Sequence, residues 1–470
     1  MERLIKIRNG GRLFGPWKFY SGALAIAVPI MLQSLIQSLV SLVDNFMVSG
    51  LGDVAMSGVN VSGQVLFIFM VFLNAICMSG GIFMTQFFGA KDRQGMGQAF
   101  RFKLVIGFAA FMPYLLVCRI FPRQVLSLML IGNSQAEMIL DEAVQYIRIM
   151  FWMGIPMTVS VCIASSLRDL GKVKTPLIVT VIATLTNTLF NWLLIYGNLG
   201  FPALGVRGAA IATVIARSLE FVIFLAVYFR THPEFMVRIR ELFQVDWKLF
   251  RNMLRKSTMV LFCEMVWVAS ETITTAIYNG RGGADVVSGM ASSFAIANLY
   301  FVAFGGIYSA TGVILGKTLG QGDLEKAREE KTWLLSGSAI FGTVMTFFGL
   351  ATTLLVPVVF GRLSDSAVSI CRTMVMTMSL FMPIWVYANA QQAVARSGGD
   401  TAMGAYADAA LTLLVMLPLV FLLANYTDVG PVVLYCGVKL VDVIKVIVFH
   451  FWLKKERWLK NLAKNRGREK

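Results

Sequence analysis

The residues able to do chemistry stand out because they interrupt stretches that otherwise read as lipid-facing. In "SLVDNFMVSG", Asp44 is followed at once by Asn45 inside a long apolar run. An ionised side chain at the centre of a membrane helix costs roughly 2.5–3.5 kcal/mol on insertion scales, so its presence marks a function or a partner. A second run, "TLTNTLFNWLLIYG", carries Asn187 and Asn191 at i, i+4, which puts both amides on one helical face. A carboxylate beside neutral oxygen donors can hold a proton or a small hard cation such as sodium, and either one neutralises it. For Asp44 the plainer reading is a helix-end cap near water, because "SGLG" follows closely. A third run, "STMVLFCEMVWVASETITTAIYNG", carries Glu264 and Glu271 two turns apart on one face, with Ser270, Thr274 and Thr275 nearby. Such a pair suits a wet, acidic cavity for cationic amphiphiles. Its plainer reading is ion pairing with Lys or Arg of another helix. Other charges within the runs read as structural: Arg217 and Glu220 pair at i, i+3, Lys439, Asp442 and Lys445 form a similar local network in the last run, and Asp408 lies at an interface.

Other chemistries find no comparable support. The six cysteines (Cys77, Cys118, Cys162, Cys263, Cys371, Cys436) are scattered, mostly within apolar runs, without C-x-x-C spacing. His232 and His450, the two histidines, flank apolar runs and cannot build a ligand cluster. No clustered nucleophiles accompany them, so a membrane enzyme is disfavoured and no organic cofactor is expected. Sodium at Asp44 is the one metal ion considered.

The elements that must position these residues are membrane helices. The chain has 470 residues, 57% hydrophobic and 14% charged, with mean hydropathy +0.70, against about 25% charged in soluble domains. Each run of roughly 20 apolar residues can cross about 30 Å of hydrocarbon. The runs predict twelve spans, near 21–47, 55–85, 102–121, 138–166, 176–196, 208–229, 257–278, 287–315, 332–356, 367–395, 401–424 and 431–453. The first run is long, contains Pro29 and lacks an A-x-A exit, so it reads as a span rather than a cleaved signal.

The net charge of +16 follows the loops rather than forming one basic face. Lys and Arg collect at the amino terminus (Arg3, Lys6, Arg8, Arg12, Lys18), in "GAKDRQ", in "RDLGKVKT", between Arg230 and Lys256, in "GKTLGQGDLEKAREEK" and in the tail "KKERWLKNLAKNRGREK". The alternate loops hold only Arg119, Arg123, Arg207, Arg281 and Arg362. This is the positive-inside pattern. An even span count with two basic termini puts both ends in the cytoplasm, and the basic surface faces anionic lipid rather than nucleic acid.

The long polar segment at the midpoint divides the chain into 1–230 (six spans), a cytoplasmic connecting loop at 231–256, 257–453 (six spans) and a basic cytoplasmic tail at 454–470. The halves echo each other. "GLGDVAMSGVN" returns as "GRGGADVVSGMAS", aligning Gly52 with Gly283 and Gly58 with Gly289. At the same offset Gly81 meets Gly312, Gly89 meets Gly320 and Asp92 meets Asp323, and further on Arg168 faces Arg396. Parallel six-span repeats put a substrate site between two lobes, whose rocking exposes it to alternate sides.

Several of these stretches together resemble the multidrug and toxic compound extrusion (MATE) transporters. The carriers are "VPIMLQSLIQSLVSLVDNFMVSGLGDVAMSGV", "GAKD", "YIRIMFWMGIP", "SSLRDLGKVKTP", "NTLFNWLLIYGNLGFPALGVRGAAIAT" and "LFCE", spread over nearly the whole chain. The resemblance implies an all-α membrane protein of twelve helices in two pseudo-symmetric six-helix lobes around a V-shaped cavity. It also implies export of cationic, amphipathic drugs or toxic metabolites in exchange for inward sodium or protons. Asp44 resembles the family's first-helix carboxylate at an amino-lobe cation site; Asn187, Asn191 and Thr213 resemble the fifth- and sixth-helix positions there. Glu264 resembles the seventh-helix Glu of the NorM-type branch, with DinF-like members the neighbouring option. Gln37 and Glu271 join Glu264 as expected cavity residues, and Pro29 as the expected conformational residue. The tenth helix departs from the NorM-type pattern, offering Asn389, Gln391 and Gln392 where those members place an Asp. Coupling is therefore expected at Asp44, with sodium slightly preferred for the oxygens around it. The implied partners are a small-molecule substrate and the lipids of the cytoplasmic (inner, plasma) membrane, with a monomeric chain. The alternative in the wider superfamily is a lipid-linked or oligosaccharide flippase, against which acidic Glu264 and Glu271 count.

Overall fold

A computed structural model describes residues 13–131, 135–241, 244–360 and 363–464. Arg3, Lys6, Arg8, Arg12, Arg362 and the last six residues of the basic tail lie outside the described residues. No strand occurs among the described residues. In lipid every backbone amide must find its partner within the segment, and helices meet that demand.

Eleven helices among the described residues are long and apolar enough to span a bilayer. They are α1 (Trp17–Ser49), α2 (Asp53–Gly89), α3 (Arg93–Ile120), α4 (Ala136–Asp169), α5 (Lys174–Tyr196) and α6 (Val206–Thr231) in the first half. The second half holds α7 (Trp247–Asn279), α8 (Ala284–Gln321), α9 (Leu324–Phe360), α10 (Asp365–Ser397) and α11 (Met403–Tyr426). The expected twelfth span is present as two shorter helices, α12 (Pro431–Lys439) and α13 (Val441–Lys454). Leu440 between them keeps right-handed dihedrals, φ −59° and ψ −24°, so the chain tightens rather than turns back. The connecting loop is shorter than the sequence suggests: helix α7 starts at Trp247. Asp246 caps it, accepting from the Leu249 amide at 3.1 Å, as an N-cap carboxylate should.

The chain forms two compact units. One takes residues up to Met31, Thr85–Asp92 and everything from Thr258 onward; the other takes Leu32–Met84 and Arg93–Ser257. Helix α1 thus changes unit two residues after Pro29, whose missing N–H leaves the Ala25 carbonyl without its helical donor. The helix nevertheless stays helical throughout. The second unit is centred on Phe69, Phe111, Tyr114, Met150 and Met153, with Phe69 stacked on Tyr114 at 4.5 Å. In the first, Met374, Met378 and Met382 repeat every turn along α10 and are fully buried with Tyr300 and Tyr435. Packing is what these methionines do, as their flexible thioethers suit.

The repeat read from the sequence has a structural counterpart within the first unit. A Cβ on Gly89 would lie 2.1 Å from the Lys317 carbonyl oxygen, and one on Gly320 would lie 2.0 Å from that of Gln86. The offset that aligns Gly89 with Gly320 also aligns Gln86 with Lys317 and Thr85 with Gly316. Thr85 Oγ1 would in turn lie 2.2 Å from a Cβ on Gly316. A contact that repeats with its partners exchanged is the mark of a local two-fold axis.

Candidate functional site

Asp44 lies five residues before the end of α1, and two amides of α5 face it. Asn191 Nδ2 donates to Asp44 Oδ1 at 2.7 Å. Asn187, one turn earlier on α5, has two orientations available, since the network rather than direct observation fixes an amide's sense. With its oxygen toward Asp44, Nδ2 donates to Thr213 Oγ1 at 3.3 Å and Oδ1 accepts from Asn191 at 3.4 Å. That leaves oxygen facing carboxylate. Turned over, its nitrogen donates to both Asp44 oxygens, at 3.0 and 2.9 Å. The bare carboxylate favours the second arrangement, because a charged acceptor gains more from each donor than a hydroxyl does. Thr213 spends its own proton on the Ala209 carbonyl at 3.0 Å, so its oxygen faces the cluster as an acceptor. Asn191 Oδ1 is buried without a hydrogen-bond partner in the protein. A buried acceptor left alone costs about 1–3 kcal/mol.

Asp44, Asn187 and Thr213 open onto a cavity of ≈ 240 Å³. Helix α1 contributes Gln37, Ser41 and Asp44, one face at spacings of three and four. From α5 come Thr180, Thr184 and Asn187; from α6 come Thr213 and Arg217. Of the expected site residues, Asp44, Asn187, Asn191, Thr213 and Gln37 are therefore brought together. Pro29 lies about four turns from Asp44 on the same helix. Sequence reasoning missed Arg217 as a cavity residue, reading it only as the i, i+3 partner of Glu220. It is that partner, at 2.7 Å, and it lines the cavity too. Tyr146 of α4, packed against Met47, Val48, Ile195 and Ala209, was also passed over, although it begins the "YIRIMFWMGIP" stretch.

Glu264 and Glu271 are held differently from the expected open acidic pair. Arg396 Nη1 donates to Glu264 Oε1 at 3.3 Å and to the Tyr308 hydroxyl at 3.4 Å. Lys439 Nζ donates to Glu271 Oε1 at 2.6 Å, with the Tyr435 ring 5.5 Å away. Each acid thus has the helix–helix ion pair that was its plainer reading. Lys439 consequently leaves the local network expected along the last span. Lys445 instead pairs with Asp408 at 2.9 Å and Asp442 at 3.6 Å. Asp408 is tied into this network rather than left at an interface, and Gln392 donates to it at 3.1 Å. Among the described residues no group of three or more His, Cys, Asp or Glu is arranged to hold a metal ion.

A family model described as MatE matches residues 29–193 and again 260–422, one match in each half of the repeat. The chain is 26% identical to a probable multidrug resistance protein NorM of Thermotoga maritima, over 66% of both chains. It is 25% identical to the probable multidrug resistance protein YoeA of Bacillus subtilis, over 64% of this chain and 65% of that one. The chain thus spans just under two thirds of the length of these curated relatives. In fold it is similar to a multidrug resistance MATE family transporter of the MOP superfamily solved in an outward-facing conformation. There the TM-score is 0.82 at 17% identity, over 95% of this chain and 97% of the other. A family model matched in both halves, over more than half of the residues, leaves one conclusion: the chain belongs to the MatE family.

Proposed function

We propose that this protein is a secondary antiporter of the cytoplasmic membrane, exporting cationic or amphipathic small molecules in exchange for inward sodium or protons through Asp44. The observation that carries the reading is the pairing of a membrane carboxylate with an orphan oxygen. Asp44 sits against Asn191, whose Oδ1 is buried with no partner. A cation at Asp44 would give that oxygen something to coordinate, and a proton would give it something to accept. Neutralisation also removes the reason for Asn187 to aim its nitrogen at the carboxylate, so the amide can turn its oxygen inward. Ion binding is thereby converted into a change of hydrogen bonding between α1 and α5. The Asn187, Asn191 and Thr213 oxygens favour sodium slightly. Both termini are cytoplasmic in this reading, and the working unit is the monomer in lipid.

The driving force is adequate. One inward monovalent cation is worth about 2.3 kcal/mol per 100 mV, and a tenfold concentration gradient adds about 1.4 kcal/mol. Efflux from proteoliposomes, with sodium and pH gradients imposed separately, tests the reading. Asp44→Asn, which keeps shape and loses the charge, is expected to reduce gradient-driven efflux at least tenfold. Undiminished efflux by that variant would remove Asp44 from the coupling role.

A further inference from the structure

At the end of the protein that carries the tail, α9 and α13 share one buried cluster, Leu334 and Leu335 from the first with Phe449 and Leu453 from the second. Lys331 lies one turn before Leu335, on that same face of α9, and is half-buried. Its Nζ stands 5.9 Å from the centre of the Trp458 ring. Lys454 of α13 is within its electrostatic reach, and the charges of both lysines act on His450. His450 and Lys454 are exposed and one turn apart, at i, i+4 on α13. The acid within reach of Lys331 is Glu456, and Arg328 already holds both its oxygens, at 2.9 and 2.8 Å. Among the described residues neither Lys331 nor Lys454 has a carboxylate at ion-pair distance. Two like charges brought together without an acid between them repel, and the half-buried one has also given up hydration. An anion would relieve both costs.

An apolar stripe leads up to these cations. Ile444, Ile447 and Phe451 follow one another on α13 at spacings of three and four, 46%, 51% and 59% exposed. Lys454, three residues beyond Phe451, continues the same face, with His450 beside it. We propose that this junction binds an anionic phospholipid, its phosphate held by Lys331, His450 and Lys454 and its acyl chains laid along Ile444, Ile447 and Phe451. The stripe is what selects a lipid over a free anion, because inorganic phosphate would use the cations and leave the apolar surface bare. Basic pockets between membrane helices at the cytoplasmic side suit such head groups. The ammonium groups supply three N–H donors each and the imidazole ring one more, and phosphate oxygens accept them as charge-assisted hydrogen bonds. With Arg328 and Glu456 cancelling, Lys331 and Lys454 leave two positive charges unmatched. A lipid with two phosphodiesters, of the cardiolipin class, answers both, whereas a singly charged lipid answers one. The bound head group would also bridge α9 to α13. None of this involves ion binding at Asp44.

Native mass spectrometry of the full-length protein in detergent, offered equimolar cardiolipin and phosphatidylcholine with matched acyl chains, reads the site. Wild type is expected to retain cardiolipin about thirtyfold over phosphatidylcholine, which is about fivefold for each of two cations at a membrane surface. Lys331→Gln/Lys454→Gln should bring that preference to within about threefold, and Lys331→Arg/Lys454→Arg, which keeps the charges, should retain it. Arg119→Gln/Arg372→Gln removes the same charge from exposed positions on other helices and should leave the preference standing. A preference near one in wild type overturns the proposal. Equal loss in both glutamine double variants does so too, since the attraction would then be diffuse, and so does loss in the arginine variant. Washing the loaded protein with inorganic phosphate should strip no more lipid than sodium chloride of equal ionic strength. Greater stripping by phosphate would make this a site for a free anion and overturn the assignment to lipid. Every one of these results leaves the antiport reading where it stood.

Discussion

At the scale of single residues, Lys439 shows how the second half keeps its charges in lipid. Its side chain is 9% exposed and holds Glu271 at 2.6 Å. Removing one partner of a buried ion pair costs about 3–5 kcal/mol because the other is left uncompensated. Glu271 keeps 28% of its side chain exposed, so Lys439→Met is expected to cost less, about 2–3 kcal/mol. Glu271→Gln added to Lys439→Met should restore most of that loss, read by thermal melting of the detergent-purified protein. A double variant as unstable as the single one would mean that Lys439 matters for something other than Glu271. Residues of this kind were only half legible in the sequence. Spacing placed Asn187 and Asn191 on one face and Glu264 with Glu271 on another, because helical period is a local property. Which residue answers an acid is a tertiary fact. Lys439 lies 168 positions from Glu271, and Asn191 lies 147 from Asp44. Arg217 escaped notice as a cavity residue because its i, i+3 acid already explained it.

At the scale of elements, the tightest constraint is the crossing of α2 and α8. Helices in lipid associate through close backbone approach at small residues, and Gly89 and Gly320 are where that approach happens. Gly320→Ala would put a methyl 2.0 Å from the Gln86 carbonyl oxygen. Overpacking of this kind costs about 1–3 kcal/mol, so the variant should melt measurably lower. Gly312→Ala on the same helix is the control, since nothing lies within 4 Å of a Cβ there. It is expected to melt no lower than wild type; equal destabilisation by both would indicate a helix-wide effect rather than the crossing. The sequence repeat aligned Gly81 with Gly312 as firmly as Gly89 with Gly320. Only the structure separates them, because Gly81 is crowded by the Asp169 carboxylate and Gly312 faces open space. Span existence was legible throughout. The break at Leu440 was not, since "VVLYCGVKLVDVIKVIVFH" carries Lys439, Asp442 and Lys445 there but no proline to stop a helix.

At the scale of the whole molecule, the proposed ion traffic depends on which way the chain faces. Counting Lys and Arg assigned the α2–α3 link, the α8–α9 link and the tail to the cytoplasm. These three segments meet. Gln86 Nε2 donates to the Lys460 carbonyl at 3.2 Å, and its Oε1 accepts from the Leu462 amide at 2.6 Å. Asn461 donates to the Gly320 carbonyl at 3.2 Å. Glu456 takes both Arg328 Nε and Nη2, at 2.9 and 2.8 Å, and those hydrogen bonds hold its carboxyl below the usual range. Three stretches assigned to one side by charge alone thus share one end of the protein, as a common sidedness requires, and labelling reads which side of the membrane that end faces. Single cysteines in a Cys436→Ser background decide it, the other five native cysteines being buried. Leu199→Cys, at an exposed site between α5 and α6, should react in whole cells with a membrane-impermeant maleimide. Glu325→Cys, at the start of α9 with its native side chain 86% exposed, should react only after permeabilisation. The opposite pattern would place Asp44, near the far end of α1, in the inner half of the bilayer. An inward gradient could not then load it from outside, and the coupling scheme would fail for reasons of geometry whatever the chemistry of the site.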